Sequence, residues 1–91
     1  MYWIRVGTVV YYYSSLKIAI VTLIKGIDIG DHLGFLKQGT LLFEQDLTTL
    51  HINTHEVHSA NAGDTVEMLV DSPVEVDTEV YAFKPIQEFI N

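Results

Sequence analysis

Thr65-Val66-Glu67-Met68-Leu69-Val70-Asp71, at residues 65–71, carries the pattern that decides the fold. The apolar residues Val66, Met68 and Val70 fall on one side of an extended chain, and the residues between them fall on the other. Alternation with a period of two is typical of a β-strand with one buried face. The turn sequence Asn61-Ala62-Gly63-Asp64 precedes it and indicates where the strand begins.

Similar signals recur along the whole chain, as short runs rich in Val, Ile, Thr, Tyr and Phe between Gly, Asp, Asn, Ser and Pro. They predict strands over residues 3–13, 17–24, 32–37, 41–52, 65–70 and 80–83. Residues 53–60 are less regular, and residues 85–90 are predicted to form one helical turn. About six or seven short strands predict an all-β barrel or sandwich.

The second predicted strand is apolar on both faces. One face carries Ile18, Ile20, Thr22 and Ile24, and the other carries Ala19, Val21 and Leu23. An apolar outer face needs a cover, which could be the carboxy-terminal Phe89 and Ile90, a second copy of the chain or a protein partner. We predict that the contact surface consists of Ala19, Val21 and Leu23 together with Tyr11 and Tyr13.

Length and composition allow a single domain over residues 1–91. The chain has no Cys, which excludes disulfides and thiolate zinc sites. Its longest apolar run, within residues 18–24, is far shorter than the roughly 20 residues that span a bilayer. The amino terminus lacks the features of a signal peptide, so we expect a cytoplasmic protein that has no membrane contact.

The charge is strongly acidic and unevenly distributed, with a net charge of −7. Residues 44–91 hold one Lys and ten of the twelve acidic residues. Four basic residues lie in the first half: Arg5, Lys17, Lys25 and Lys37. Affinity for nucleic acid comes largely from neutralising phosphates, so RNA binding is disfavoured unless these four converge on one face.

Three blocks follow one another in a recognisable order. They are Val6-Gly7-Thr8-Val9-Val10, Gly26-Ile27-Asp28-Ile29-Gly30-Asp31 and Ala60-Asn61-Ala62-Gly63-Asp64-Thr65-Val66. Together they resemble the β-barrel second domain of translational GTPases such as elongation factor Tu. Phe43-Glu44-Gln45, Leu50-His51-Ile52 and Val57 look closer to small translation elongation factor-like proteins and to the carboxy-terminal domain of U32-family peptidases.

The resemblance covers about residues 5–83 and implies one closed barrel of six to seven strands, followed by a tail over residues 84–91. It also implies that the residues shaping turns and close approaches are Gly7, Gly26, Gly30, Asp31, Gly63 and Asp64. Asp77 departs from the family pattern, because it stands where a Gly usually precedes the last strand. Asp tolerates a left-handed backbone less well than Gly, so we expect a strained or rearranged turn there.

The activities of these families do not transfer with the barrel. The sequence contains no Gly-x-x-x-x-Gly-Lys-Ser/Thr phosphate loop, so we expect no nucleotide binding. Peptidase chemistry in the U32 family belongs to a different domain. In elongation factors the barrel packs on the GTPase domain and helps to hold the aminoacyl end of tRNA, which keeps RNA binding open as an alternative.

Candidate catalytic and metal-binding residues are few. His51, His55 and His58 surround Glu56, but their spacing matches no defined metal site, and we favour separate surface histidines. The carboxylates of Asp28 and Asp31 are more typical of turn residues that cap backbone groups. Ser14 and Ser15 have no neighbouring base. We therefore predict no metal, no cofactor and no enzymatic activity.

These observations favour a stand-alone β-barrel that binds a protein partner or itself. The alternative is an RNA- or tRNA-binding accessory of translation or tRNA modification.

Overall fold

The computed structural model describes residues 1–85, which form ten β-strands and no helix. The strands are β1 Tyr2–Tyr13, β2 Ile18–Leu23, β3 Ile27–Asp28, β4 His32–Lys37, β5 Thr40–Asp46, β6 His51–Ile52, β7 His55–Glu56, β8 Ser59–Ala60, β9 Thr65–Leu69 and β10 Glu79–Lys84. The predicted all-β class is therefore confirmed for this part of the chain. The predicted helical turn over residues 85–90, and the cover by Phe89 and Ile90, lie outside the described residues apart from Pro85.

Eight of these strands form one antiparallel sheet in the order β5-β4-β10-β1-β2-β9-β6-β7, and β3 pairs with β8 separately. The backbone ladder ends at β5 and at β7, so strand pairing does not close the sheet into the predicted barrel. The predicted count of six to seven strands is also too low. Within residues 1–85, no helix is both long and apolar enough to cross a bilayer.

The predicted strand over residues 41–52 is interrupted in the middle. The Gly30 N–H donates to the Leu47 carbonyl, and the Leu47 N–H donates to the Asp31 carbonyl, at 2.9 and 2.8 Å. Leu47 and Leu50 are buried. The chain leaves the ladder after β5 because the backbone of Leu47 bonds to the turn before β4, and it resumes pairing only at β6.

A side chain spans the gap between the sheet edge β5 and strand β9. The Gln45 Nε2 donates to the Leu69 carbonyl at 2.9 Å, and its Oε1 accepts from the Asp71 N–H at 2.6 Å. Nearby, the Thr49 hydroxyl accepts from the Leu69 N–H at 3.1 Å. Gln45 is buried, and its amide thereby satisfies backbone groups that the open ladder would leave unpaired.

The inner side of the sheet is a continuous apolar core. The buried hydrophobic residues are Val6, Val9, Ala19, Val21, Leu23, Ile27, Leu33, Phe35, Leu47, Leu50, Ala60, Val66, Met68, Val70, Val74, Val80 and Ala82. Val66, Met68 and Val70 are buried, which confirms the inward face predicted from their alternation.

Close approach and positive φ account for most of the predicted glycine positions. A Cβ on Gly7 would lie 2.5 Å from the Thr22 carbonyl oxygen, so β1 and β2 approach each other closely. Gly30 and Gly63 have φ of 99° and 92°, which confirms the predicted left-handed turns. In these turns the carboxylates of Asp31 and Asp64 each accept from the N–H three residues earlier, at 2.9 and 2.8 Å. Gly26 has no positive φ and instead faces the Ala60 carbonyl oxygen.

Asp77 has φ of 75°, so it adopts the left-handed backbone predicted for it. We expect Asp77→Gly to raise the free energy of unfolding by about 0.5 kcal/mol. Glycine removes the steric cost at positive φ, but it also increases the conformational entropy of the unfolded chain, which offsets part of that stabilisation. Asp77→Ala should lower it by about 1 kcal/mol. Urea unfolding of both variants measures the difference, and an Asp77→Gly variant less stable than the parent would contradict the expected strain.

Candidate functional site

The outer side of the sheet carries an apolar surface near the β1–β2 turn, formed by Tyr11, Tyr13, Ile18, Ile20 and Leu69 and called here the Tyr11 face. The two tyrosine rings stand 4.7 Å apart in an edge-to-face arrangement. Cross-strand pairing places Tyr11 opposite Ile20, Tyr13 opposite Ile18, and Ile18 opposite Leu69. Tyr11 is 52% exposed and Leu69 43%.

A shallow cavity of about 200 Å³ adjoins the Tyr11 face, where Ile18 and Leu69 meet Thr49, His51 and Glu67. Its lining is mostly apolar. Large contiguous apolar patches on soluble monomers often mark binding surfaces, so this face is a candidate for binding.

The predicted contact surface is corrected in part by this geometry. Tyr11 and Tyr13 are exposed as expected, but Ala19, Val21 and Leu23 are buried in the core. The reason is the register between β2 and β9. Ala19 pairs with Met68 and Val21 with Val66, so these side chains share the buried face of β9. The face of β2 that points outward is the one that carries Ile18 and Ile20.

A second surface lies on the outer side of β1, β10, β4 and β5. It forms around a groove of about 270 Å³ lined by Trp3, Leu36, Leu41, Glu44 and Tyr81, called here the Trp3 groove.

The Trp3 ring can approach β4 closely because Gly34 has no side chain. A Cβ on Gly34 would lie 3.0 Å from Trp3 Cζ3 and 3.3 Å from Leu41 Cδ1. The Trp3 ring also packs 5.0 Å from the Phe83 ring, centre to centre.

His32 lies beside this groove and is held between two carboxylates. Its Nε2 lies 2.6 Å from Glu44 Oε1, and its Nδ1 lies 2.8 Å from Asp46 Oδ1. Two hydrogen bonds, chiefly the one to Asp46 and secondly the one to Glu44, raise the pKa of His32 above its ordinary value of 6.5. The Trp3 ring centre is 6.0 Å away. The sequence did not single out His32, because only the pairing of β4 with β5 brings these groups together.

The raised pKa of His32 predicts a pH dependence of stability. Because the folded pKa lies above the unfolded value, the stabilisation is fully present below about pH 6.5 and disappears as the pH rises through the folded pKa. The urea midpoint should therefore fall over that range, and His32→Gln should remove this contribution. A proton NMR titration checks it directly, and a His32 pKa at or below 6.5 would contradict the contacts described.

The histidines that the sequence singled out, His51, His55 and His58, do not form a metal site. His51 pairs with Glu56, and His55 pairs with Ile52, in the short β6–β7 hairpin. Among residues 1–85, no three His, Cys, Asp or Glu side chains are arranged to hold a metal ion. Asp31 accepts the Asp28 N–H and forms an ion pair with Lys84 at 2.7 Å, as a turn residue would.

The basic residues proposed for RNA are dispersed. Lys17 lies in the β1–β2 turn, whereas Lys25 donates its N–H to Val6 at the other end of the hairpin. Lys37 pairs with Glu75 at 3.3 Å, and Arg5 donates to the Thr8 hydroxyl.

Comparison with solved structures assigns the fold. The chain resembles two crystal structures of the C-terminal domain of a putative U32 peptidase from Geobacillus thermoleovorans, one of them a selenomethionine variant. Both match with a TM-score of 0.79 and 20% sequence identity. The selenomethionine match covers 85% of this chain and 96% of that domain, and the other covers 87% and 91%. No protein-family model and no curated protein matches the sequence. The similarity shows that this chain has the fold of that peptidase domain.

Proposed function

We propose that this protein is a non-catalytic interaction module that binds a protein partner or a second copy of itself through the Tyr11 face. The observation that carries the proposal is an apolar surface in which Tyr11, Tyr13 and Leu69 are exposed and Ile18 and Ile20 are half-buried. Tyrosine suits this role because its ring presents a large contact area with little conformational freedom to lose. The opposite side of the same strands is already committed to the core.

Two resemblances support a module that acts by contact with other polypeptides. The similar crystal structures are, by their description, one domain of a larger protein. The ordered glycine turns resemble the second domain of translational GTPases, which packs on a GTPase domain. We expect this chain likewise to act by contact, in the cytoplasm and without catalysis of its own.

RNA binding is the alternative, and it has less support. Lys17 and Lys25 lie beyond opposite ends of β2, a strand of six residues that is roughly 20 Å long at 3.3 Å per residue. Lys37 is already paired with Glu75. Phosphate neutralisation needs several free basic side chains along one surface, and these residues do not form such a surface.

Site-specific photocrosslinking tests the proposal. A photoreactive phenylalanine is placed at Tyr13, and at Tyr2 as a matched exposed tyrosine at the far end of β1. Irradiation of cells that naturally express the protein should give a discrete adduct from Tyr13 and none from Tyr2. Irradiation of the purified protein shows whether the adduct is a dimer of this chain.

The added substitution Leu69→Ser should abolish the adduct, because it places a hydroxyl within the apolar contact. Equal crosslinking from both positions, or no adduct from Tyr13 in cells and in the purified protein, would overturn the proposal. Titration with tRNA at two salt concentrations tests the alternative, for which salt-sensitive binding is the expected sign.

A further inference from the structure

The Trp3 groove combines an aromatic wall, an aliphatic floor and an acidic edge. Trp3 is 39% exposed and lines the groove, and its ring lies next to Gly34, so part of the indole is accessible to a ligand. Tyr81 follows on the next strand, because it pairs with Gly34 across β10 and β4. Leu36 and Leu41 face each other across β4 and β5 and supply the aliphatic part.

Carboxylates give the groove its negative character. Glu44 lines it directly, and its side chain is 41% exposed. Glu79 accepts the hydroxyl hydrogen of Tyr81 at 3.2 Å, and Asp46 lies beyond His32.

Two basic side chains, His32 and Arg5, lie on the same surface. His32 bonds to Glu44 and Asp46, and one protonated imidazole leaves those two carboxylates with net negative charge. Arg5 pairs with Tyr81 across the strands, but its guanidinium donates to the Thr8 hydroxyl and does not line the groove.

We propose that the Trp3 groove binds the side chain of a lysine or arginine from a basic segment of another protein. The alkyl stem would lie along Leu36 and Leu41, and the cationic head would lie over the aromatic faces of Trp3 and Tyr81, towards Glu44. Aromatic faces attract cations through the ring quadrupole, and a carboxylate adds a charge-assisted partner. The volume of about 270 Å³ falls below the range of pockets for drug-sized ligands and suits one long side chain.

The charge of the whole chain favours the same occupant. A net charge of −7 attracts basic segments and repels acidic ones. The Trp3 groove and the Tyr11 face use different residues, so the two sites are tested independently.

Trp3 is the only tryptophan in the chain, so its fluorescence reports on the groove alone. The probes are three acetylated, amidated pentapeptides, Gly-Leu-X-Leu-Gly, in which X is lysine, arginine or norleucine. The lysine and arginine peptides should give a saturable change in Trp3 emission that weakens at higher salt. The norleucine peptide has a similar apolar length without the charge, and it should bind at least fivefold more weakly.

Variants separate the cationic contact from the apolar one. Glu44→Gln should weaken the lysine peptide about threefold, as loss of a partly exposed ion pair predicts. The matched change Glu56→Gln, on the exposed strand β7 at the opposite edge of the sheet, should have no effect. Tyr81→Phe keeps the ring and should bind normally, whereas Tyr81→Leu should bind several-fold more weakly. Equal binding of the norleucine peptide, unchanged binding by Glu44→Gln, or no response to any peptide would overturn the proposal.

Discussion

Gly7→Ala is expected to destabilise the protein by at least about 3 kcal/mol, at the upper end of what overpacking causes. A Cβ at this position would lie 2.5 Å from the Thr22 carbonyl oxygen and 2.9 Å from Val21 Cγ1. The first of these atoms belongs to the backbone of β2 and cannot turn away. The two central strands of the sheet would have to separate where the core side chains of β2 pack.

Thermal unfolding followed by circular dichroism measures the effect. For a chain of this size, a loss of 3 kcal/mol corresponds to a fall in Tm of roughly 12–24 °C. Gly39→Ala is the matched control, because Gly39 has φ of 82° and nothing within 4 Å of an added Cβ. That variant should lose only about 1 kcal/mol from backbone strain. A Gly7→Ala protein as stable as Gly39→Ala would show that β1 and β2 are not so close.

Gln45→Leu is expected to cost about 2–4 kcal/mol, although leucine has a similar size and greater hydrophobicity. The substitution leaves the Leu69 carbonyl and the Asp71 N–H without the partners that Gln45 provides. Both hydrogen bonds are partly buried, and a buried group left unsatisfied costs about 1–3 kcal/mol. Urea unfolding measures the loss, and native-state hydrogen exchange should show faster exchange at the Asp71 amide.

Gln45→Glu tests whether the hydrogen-bond donor of the Gln45 amide is needed. At neutral pH a carboxylate can accept from the Asp71 N–H, but it opposes the Leu69 carbonyl with a second acceptor. Protonation restores a donor, and burial raises the pKa of such a carboxyl in the folded state. Stability should therefore improve as the pH falls through that raised pKa, whereas Gln45→Leu shows no such recovery. Thr40→Val, an exposed change on the same strand, should stay within about 0.5 kcal/mol of the parent. A Gln45→Leu protein of parental stability would contradict the role of the amide bridge.

Features set by neighbouring residues could be predicted from the sequence. The inward side of β9 follows from alternation, and the left-handed turns at Gly30 and Gly63 follow from Gly-Asp pairs. The positive φ of Asp77 was also accessible, through the resemblance to families that carry glycine there.

Features set by pairing between distant strands could not be predicted. Both faces of β2 are apolar, so only its pairing with β9 decides that Ala19 and Val21 point inward. The bridge from Gln45 to Leu69 spans 24 residues, and the carboxylates around His32 are 12 and 14 residues away. No local pattern marks such positions. The open edge of the sheet could not be predicted for the same reason, because it depends on the backbone of Leu47 bonding to a distant turn instead of a strand.

The most direct test of the central claim is tyrosine-specific oxidative footprinting. It compares the dilute purified protein with the protein in extracts of cells that naturally express it. Tyr11 and Tyr13 should react readily in the dilute purified sample and be protected in the extract. Tyr2, which is 42% exposed at the far end of β1, should react equally in both. Equal labelling of Tyr11 and Tyr13 in both samples would contradict the claim that the Tyr11 face is where this protein binds.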